Sequence, residues 1–128
     1  MNPNLLSNFA EMTVAEVDAL PFGAICISLD GMILSYNQYE ARLSHLDAHR
    51  VIGKNFFRDI APCTDVQAFA GRMREFVATG TDKSAAFPFT FAFVHGSVEV
   101  SIAFVLLPGA ESVLIAVERI APAGATAT

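Results

Sequence analysis

Apolar residues change their spacing along the chain, and each change predicts an element. Leu5, Leu6, Phe9, Met12, Val14, Val17 and Leu20 stand near helical spacing over short pieces before Pro21, which predicts a helical cap over residues 1–20. Ala24 to Leu29 reads as a strand, Asp30-Gly31 as a hairpin turn and Met32 to Tyr36 as the returning strand. Asn37 followed by Glu40 has the spacing of an N-cap residue and its N3 partner, so a short helix is expected from about Gln38 to Ser44. Gly53, Asn55 and Pro62 break the next stretch into turns and a single helical turn. Val66, Phe69, Ala70, Met73, Phe76 and Val77 then recur at helical spacing, with Gly80 placed to end one long helix.

The second half alternates with a period of two. Phe87, Phe89, Phe91 and Phe93 give a strand with one aromatic face, and Pro88 places it at an edge or moves its start beyond the proline. Val98, Val100, Ile102, Phe104 and Leu106 form the next strand, Pro108-Gly109 a turn, and Ser112 to Arg119 a last strand that is apolar on both faces. After Ile120 the tail APAGATAT has no apolar period, which predicts a disordered segment. The expected architecture is α+β: a five-stranded antiparallel sheet with helices on one face and an N-terminal helical cap. Its parts are the cap at 1–20, the main domain at 21–120 and the tail at 121–128.

With 128 residues, the chain fits one domain. Its net charge of −5 and eight dispersed Lys and Arg residues argue against nucleic acid and anionic membrane as partners. No run approaches the roughly 18 to 20 apolar residues of a spanning helix. The N-terminus lacks the pattern of a signal peptide, so the cytoplasm is the expected compartment, with Cys26 and Cys63 reduced. No paired Cys/His spacing suggests a metal.

Candidate chemistry rests on a longer pattern. Pro21-Phe22-Gly23-Ala24-Ile25, Leu29-Asp30-Gly31, Ile33-Leu34-Ser35-Tyr36-Asn37 with Glu40, and the string VIGKNFFRDIAPCT from Val51 to Thr64 resemble the photoactive yellow protein family. The match is gap-free from Phe22 to Gly80 and weakens over the last three strands. The resemblance implies the PAS fold and a blue-light photoreceptor that carries 4-hydroxycinnamic (p-coumaric) acid as a thioester. Cys63 is then the attachment site. Tyr36 and Glu40 would hydrogen-bond the chromophore phenolate, Ser44 would buttress the tyrosine, and Glu40 would be the proton donor of a reversible trans–cis photocycle. Ile25, Leu46, Ile60, Ala61, Pro62, Thr64, Phe89, Phe91, Phe93 and His95 are the expected pocket residues. Leu46 departs from the family, which has an arginine at that position.

Read without the resemblance, these residues leave other roles open. Cys63 reads either as a small buried hydrophobe or as a thiol just ahead of a helix whose amide dipoles favour the thiolate. Glu40 could cap its helix, and Tyr36 could place its hydroxyl in water. His45, His49 and His95 read as solvated, His95 in a hairpin turn. The chemistry that the family implies nevertheless needs these types: a buried phenolate without donors would be expelled as the neutral phenol. The alternative function is a chromophore-free PAS interaction or ligand-sensing module. Catalysis by Cys63 is disfavoured because no histidine stands in the motif to activate it. An unidentified downstream signalling protein and a monomer or weak homodimer complete the expected partners.

Overall fold

A computed structural model describes residues 9–120 except Pro108 and Ala110. The tail, residues 1–8 of the expected cap and the proline of the expected Pro108-Gly109 turn lie outside the described residues. Gly23–Ser28 forms strand β1 and Ile33–Tyr36 forms β2. Their turn places Gly31 at φ 97°, in the left-handed region that glycine enters without strain. The Gly31 N–H donates to Ser28 O at 3.0 Å, and the Ser28 N–H to Met32 O at 2.9 Å.

Phe87–Phe93, Gly96–Leu106 and Ser112–Arg119 form β3, β4 and β5, and the sheet runs β2-β1-β5-β4-β3 with every neighbouring pair antiparallel. The apolar run Val113–Val117 occupies the centre and is fully buried. β3 lies at an edge and starts at Phe87, so Pro88 sits where a missing N–H is tolerated.

Four helices accompany the sheet among the described residues: α1 (Val14–Asp18), α2 (Gln38–Ser44), α3 (Ala48–Val51) and α4 (Arg72–Thr79). The long helix expected from Val66 is two pieces: a π-turn at Gln67–Gly71 runs into α4, which ends at Gly80 with φ 72°. The Gly71 N–H reaches back five residues to Val66 O at 3.2 Å, and this breaks the 3.6-residue period. Val66 is the extended residue ahead of that turn and is exposed, against expectation. A second π-turn, Phe56–Ile60, leads into a 3₁₀ turn at Pro62–Thr64.

Strand alternation divides the apolar residues between two faces. Ile25, Val100, Ile102, Phe104, Val113, Ile115 and Val117 face α2–α4 together with Phe56, Phe69, Phe87 and Phe91. Ala24, Cys26, Ala103, Val105, Leu114 and Ala116 face the other way and pack with Phe9, Met12, Val17, Leu20 and Phe22.

Candidate functional site

The site begins at the first turn of α2. Asn37 caps it: its Oδ1 accepts from Glu40 N at 3.1 Å and from Ala24 N at 3.0 Å. Its Nδ2 donates to Val17 O and Phe22 O, both at 3.0 Å. One side chain thus ties α1, the entry to β1 and α2 together. The Asn37 N–H donates to Ala24 O at 3.1 Å, so the Glu40 carboxyl does not close a capping box. It turns inward instead.

Glu40 is 1% exposed, and its Oε1 is buried without a hydrogen-bond partner. A Cβ at Gly23 would stand 2.5 Å from that oxygen, so a side chain there would displace the carboxyl from this position against β1. Burial pushes the Glu40 pKa up to about 8, so the neutral acid predominates at pH 7. Tyr36 is also buried and donates from its hydroxyl to Ser44 Oγ at 2.8 Å; Ser44 in turn donates to Glu40 O at 2.8 Å. The phenol pKa is raised, chiefly by burial and further by the charge of Glu40, with the Ser44 contact opposing both. Tyr36 is therefore a neutral donor, with its hydroxyl held inside the protein. Ile25 lies opposite Tyr36 in the β1–β2 register.

Cys63 lies inside the three-residue 3₁₀ turn, not ahead of a continuous helix. The amide that reaches its sulfur comes from the sheet: Ala92 N–H donates to Sγ at 3.4 Å. This corrects the expectation of a helix dipole at Cys63, because Asp65 and Val66 interrupt the chain before the next helical turn. Thr64 is fully buried and donates to Ala61 O at 2.6 Å, which closes the turn. Cys63 and Ile60 are half-buried, Ala61 is buried, and all three join the aromatic face of β3 in one core. There Phe91 lies 5.8 Å from Phe89 and 5.3 Å from Phe93 between ring centroids.

Other expected pocket residues stand at the surface. Pro62 is exposed, and Leu46 is 36% exposed in the link between α2 and α3. His95 is exposed but not isolated: it stacks on His45 with centroids 3.6 Å apart, and on Phe93 at 5.1 Å. That contact, the fourfold bonding of Asn37 and the close approach of Glu40 to Gly23 were not legible beforehand. The first joins residues fifty positions apart, and only Asn37 carried a local signal, its capping spacing.

A family model described as PAS fold matches residues 17–112. The photoactive yellow protein of Rhodothalassium salexigens is 46% identical over 93 residues, 73% of this chain and 74% of that protein. The chain belongs to the photoactive yellow protein family. The photoactive yellow protein of Halochromatium salexigens is 38% identical over 96 residues, covering 75% of this chain and 76% of the relative. The crystal structure of the photoactive yellow protein domain from the sensor histidine kinase Ppr of Rhodospirillum centenum superposes with a TM-score of 0.81 at 41% identity. That match covers 88% of this chain and 97% of the domain. Photoactive yellow protein membership and the five-stranded PAS architecture agree with the sequence expectation. Among the described residues no helix is long and apolar enough to cross a membrane, and no cluster of three or more His, Cys, Asp or Glu could hold a metal.

Proposed function

We propose that this chain is a cytoplasmic blue-light sensor that carries 4-hydroxycinnamic acid as a thioester on Cys63 and signals by a reversible conformational change. The observation that supports this most strongly is the buried, unpartnered Oε1 of Glu40, a residue joined through Ser44 to Tyr36, which shares a core with Cys63. A buried, neutral carboxyl with an unpartnered oxygen fits an anionic partner. When bound, the chromophore supplies visible absorption and a light-driven isomerisation.

The chain's own residues supply the rest. Glu40, neutral below about pH 8, and the Tyr36 hydroxyl are two donors for one buried oxyanion. The Ser44 hydroxyl lies 2.8 Å from both Tyr36 Oη and Glu40 O, so rotating its proton toward Tyr36 frees the phenol proton for the ligand. Ile25, Ile60, Ala61, Thr64, Phe89, Phe91 and Phe93 exclude water, while Leu46, Pro62 and His95 stand at the rim. Loss of the Glu40 proton leaves a buried carboxylate, at a cost of several kcal/mol, a large part of a domain's net stability. Moving the first turn of α2 relieves that cost. Asn37 carries the same movement to Val17 O and Phe22 O, which loosens residues 9–20 and exposes a surface for a downstream protein.

The test is to mix the apo-protein with activated 4-hydroxycinnamic acid and record intact mass and visible absorption. A single adduct on wild type and Cys26→Ala, absent from Cys63→Ala and from a free-acid control, is expected. Specific labelling that persists in Cys63→Ala would remove Cys63 from the site.

A further inference from the structure

We propose that His45 and His95 form a charge-sensitive latch that pins the β3–β4 hairpin to the C-terminal end of α2. Their rings stack at 3.6 Å and 16°, and Phe93 stacks on His95 at 5.1 Å and 10°. Phe93 belongs to the aromatic face beside Cys63, and His45 directly follows Ser44, the partner of Tyr36. The stack therefore joins the two ends of the proposed site.

A second observation concerns the backbone. His45 is the non-glycine residue with positive φ, 62°, among the described residues, at a C-cap where glycine is the usual occupant. A ring is kept where helix capping alone favours none. Both imidazoles are exposed, and among the described residues neither has a hydrogen bond or ion pair, so the facing ring is what each charge meets first.

Other titratable groups on these elements are Arg42, Asp47 and His49 around His45, Cys63 beneath Ala92, and Glu99 on β4; Glu40 is buried at the opposite end of α2. None forms an ion pair with either ring; Asp47 Oδ1 caps the His49 N–H, and Glu99 lies opposite Thr90. Two imidazolium rings face to face repel, so acid opens the stack and frees the hairpin, while neutral pH closes it.

The latch can be read in the apo-protein. Only its effect on recovery rests on the photoreceptor reading. Backbone order parameters of Val94–Ser97 are measured at about pH 8 and about pH 5. In wild type they fall from rigid values to below about 0.6 in acid. His95→Phe keeps a stacked ring without a charge and stays rigid at both. His45→Gly suits φ 62° and so preserves the melting temperature, yet its hairpin is mobile at both. A wild-type hairpin equally ordered at both values, a drop retained in His95→Phe, or a rigid hairpin in His45→Gly at pH 8 would each overturn the latch. In chromophore-loaded protein, dark recovery changes about fivefold over that range in wild type, as expected of two unit charges at this separation in water, and stays flat in His95→Phe. Flat wild-type recovery over a loosening hairpin overturns its role in the photocycle. Failure to load chromophore overturns the photoreceptor reading instead and leaves the apo measurement to decide the latch.

Discussion

Beneath the helices, one face of the sheet packs Phe56, Phe69, Phe91 and Phe104 with Tyr36 and Cys63 in the same core, whereas its opposite face packs Ala24, Cys26, Ala103, Leu114 and Ala116 under the turns of residues 9–20. The first face is thick and aromatic. Phe69 alone lies within 6.3 Å, between ring centroids, of Phe56, Phe57, Phe87, Phe89, Phe91 and Phe104. Glu40, buried on the same side of the sheet, is desolvated strongly enough to be neutral at pH 7. The second face is built of small side chains, and α1 has no buried residue, so its cover is held by Phe9, Leu20 and the Asn37 link. One face buries an ionisable acid and the other is thinly covered, with the Asn37 side chain bonded to both.

The largest effect should come from the acid itself. Glu40 has a folded-state pKa of about 8 against an ordinary 4.5, so the folded apo-protein retains a proton that the unfolded chain releases. Its stabilisation is full below the lower value and is lost as pH rises through the upper, by up to about 5 kcal/mol. Urea unfolding across that range should show the decline in wild type and a nearly flat profile in Glu40→Gln; parallel profiles would place the carboxyl in water.

Phe69→Ala should cost about 3–5 kcal/mol, since its ring is fully buried at the centre of the aromatic face. A loss near 1 kcal/mol would show that this face repacks easily. Tyr36→Phe removes one donor worth about 1.5–3 kcal/mol to a buried anion. In loaded protein the phenolate should then titrate one to two pH units higher, roughly the same energy expressed as a pKa. A titration superimposable on wild type would remove Tyr36 from the site. Smallest is Thr13→Ala, which breaks the capping box with Glu16. About 1 kcal/mol should be lost from the hydrogen-exchange protection of the α1 amides, with the Phe69 core unaffected. Equal loss in both regions would mean that the two faces unfold as one.

Much of this was legible because it is local. Strand alternation set all five strands to within one or two residues, and the Asn37 to Ser44 helix followed from its capping spacing. The π-turn at Gln67–Gly71 was hidden because the periodicity of Phe69, Met73 and Phe76 is the same whether the first turn is wide or ordinary. Asn37 was readable as a cap but not as the tie to Val17 and Phe22, which depends on where α1 docks. The sulfur contact of Cys63 with Ala92 and the His45–His95 stack also join distant segments, and no local pattern encodes them.

The central claim is that Glu40 is a buried neutral acid that gives up its proton in the light. Light-minus-dark infrared difference spectra of chromophore-loaded protein test it directly. The account predicts loss of a protonated-carboxyl band in wild type, shifted by deuterium exchange and absent in Glu40→Gln. An intact photocycle with no carboxylic-acid loss, or with the same loss in Glu40→Gln, would contradict it.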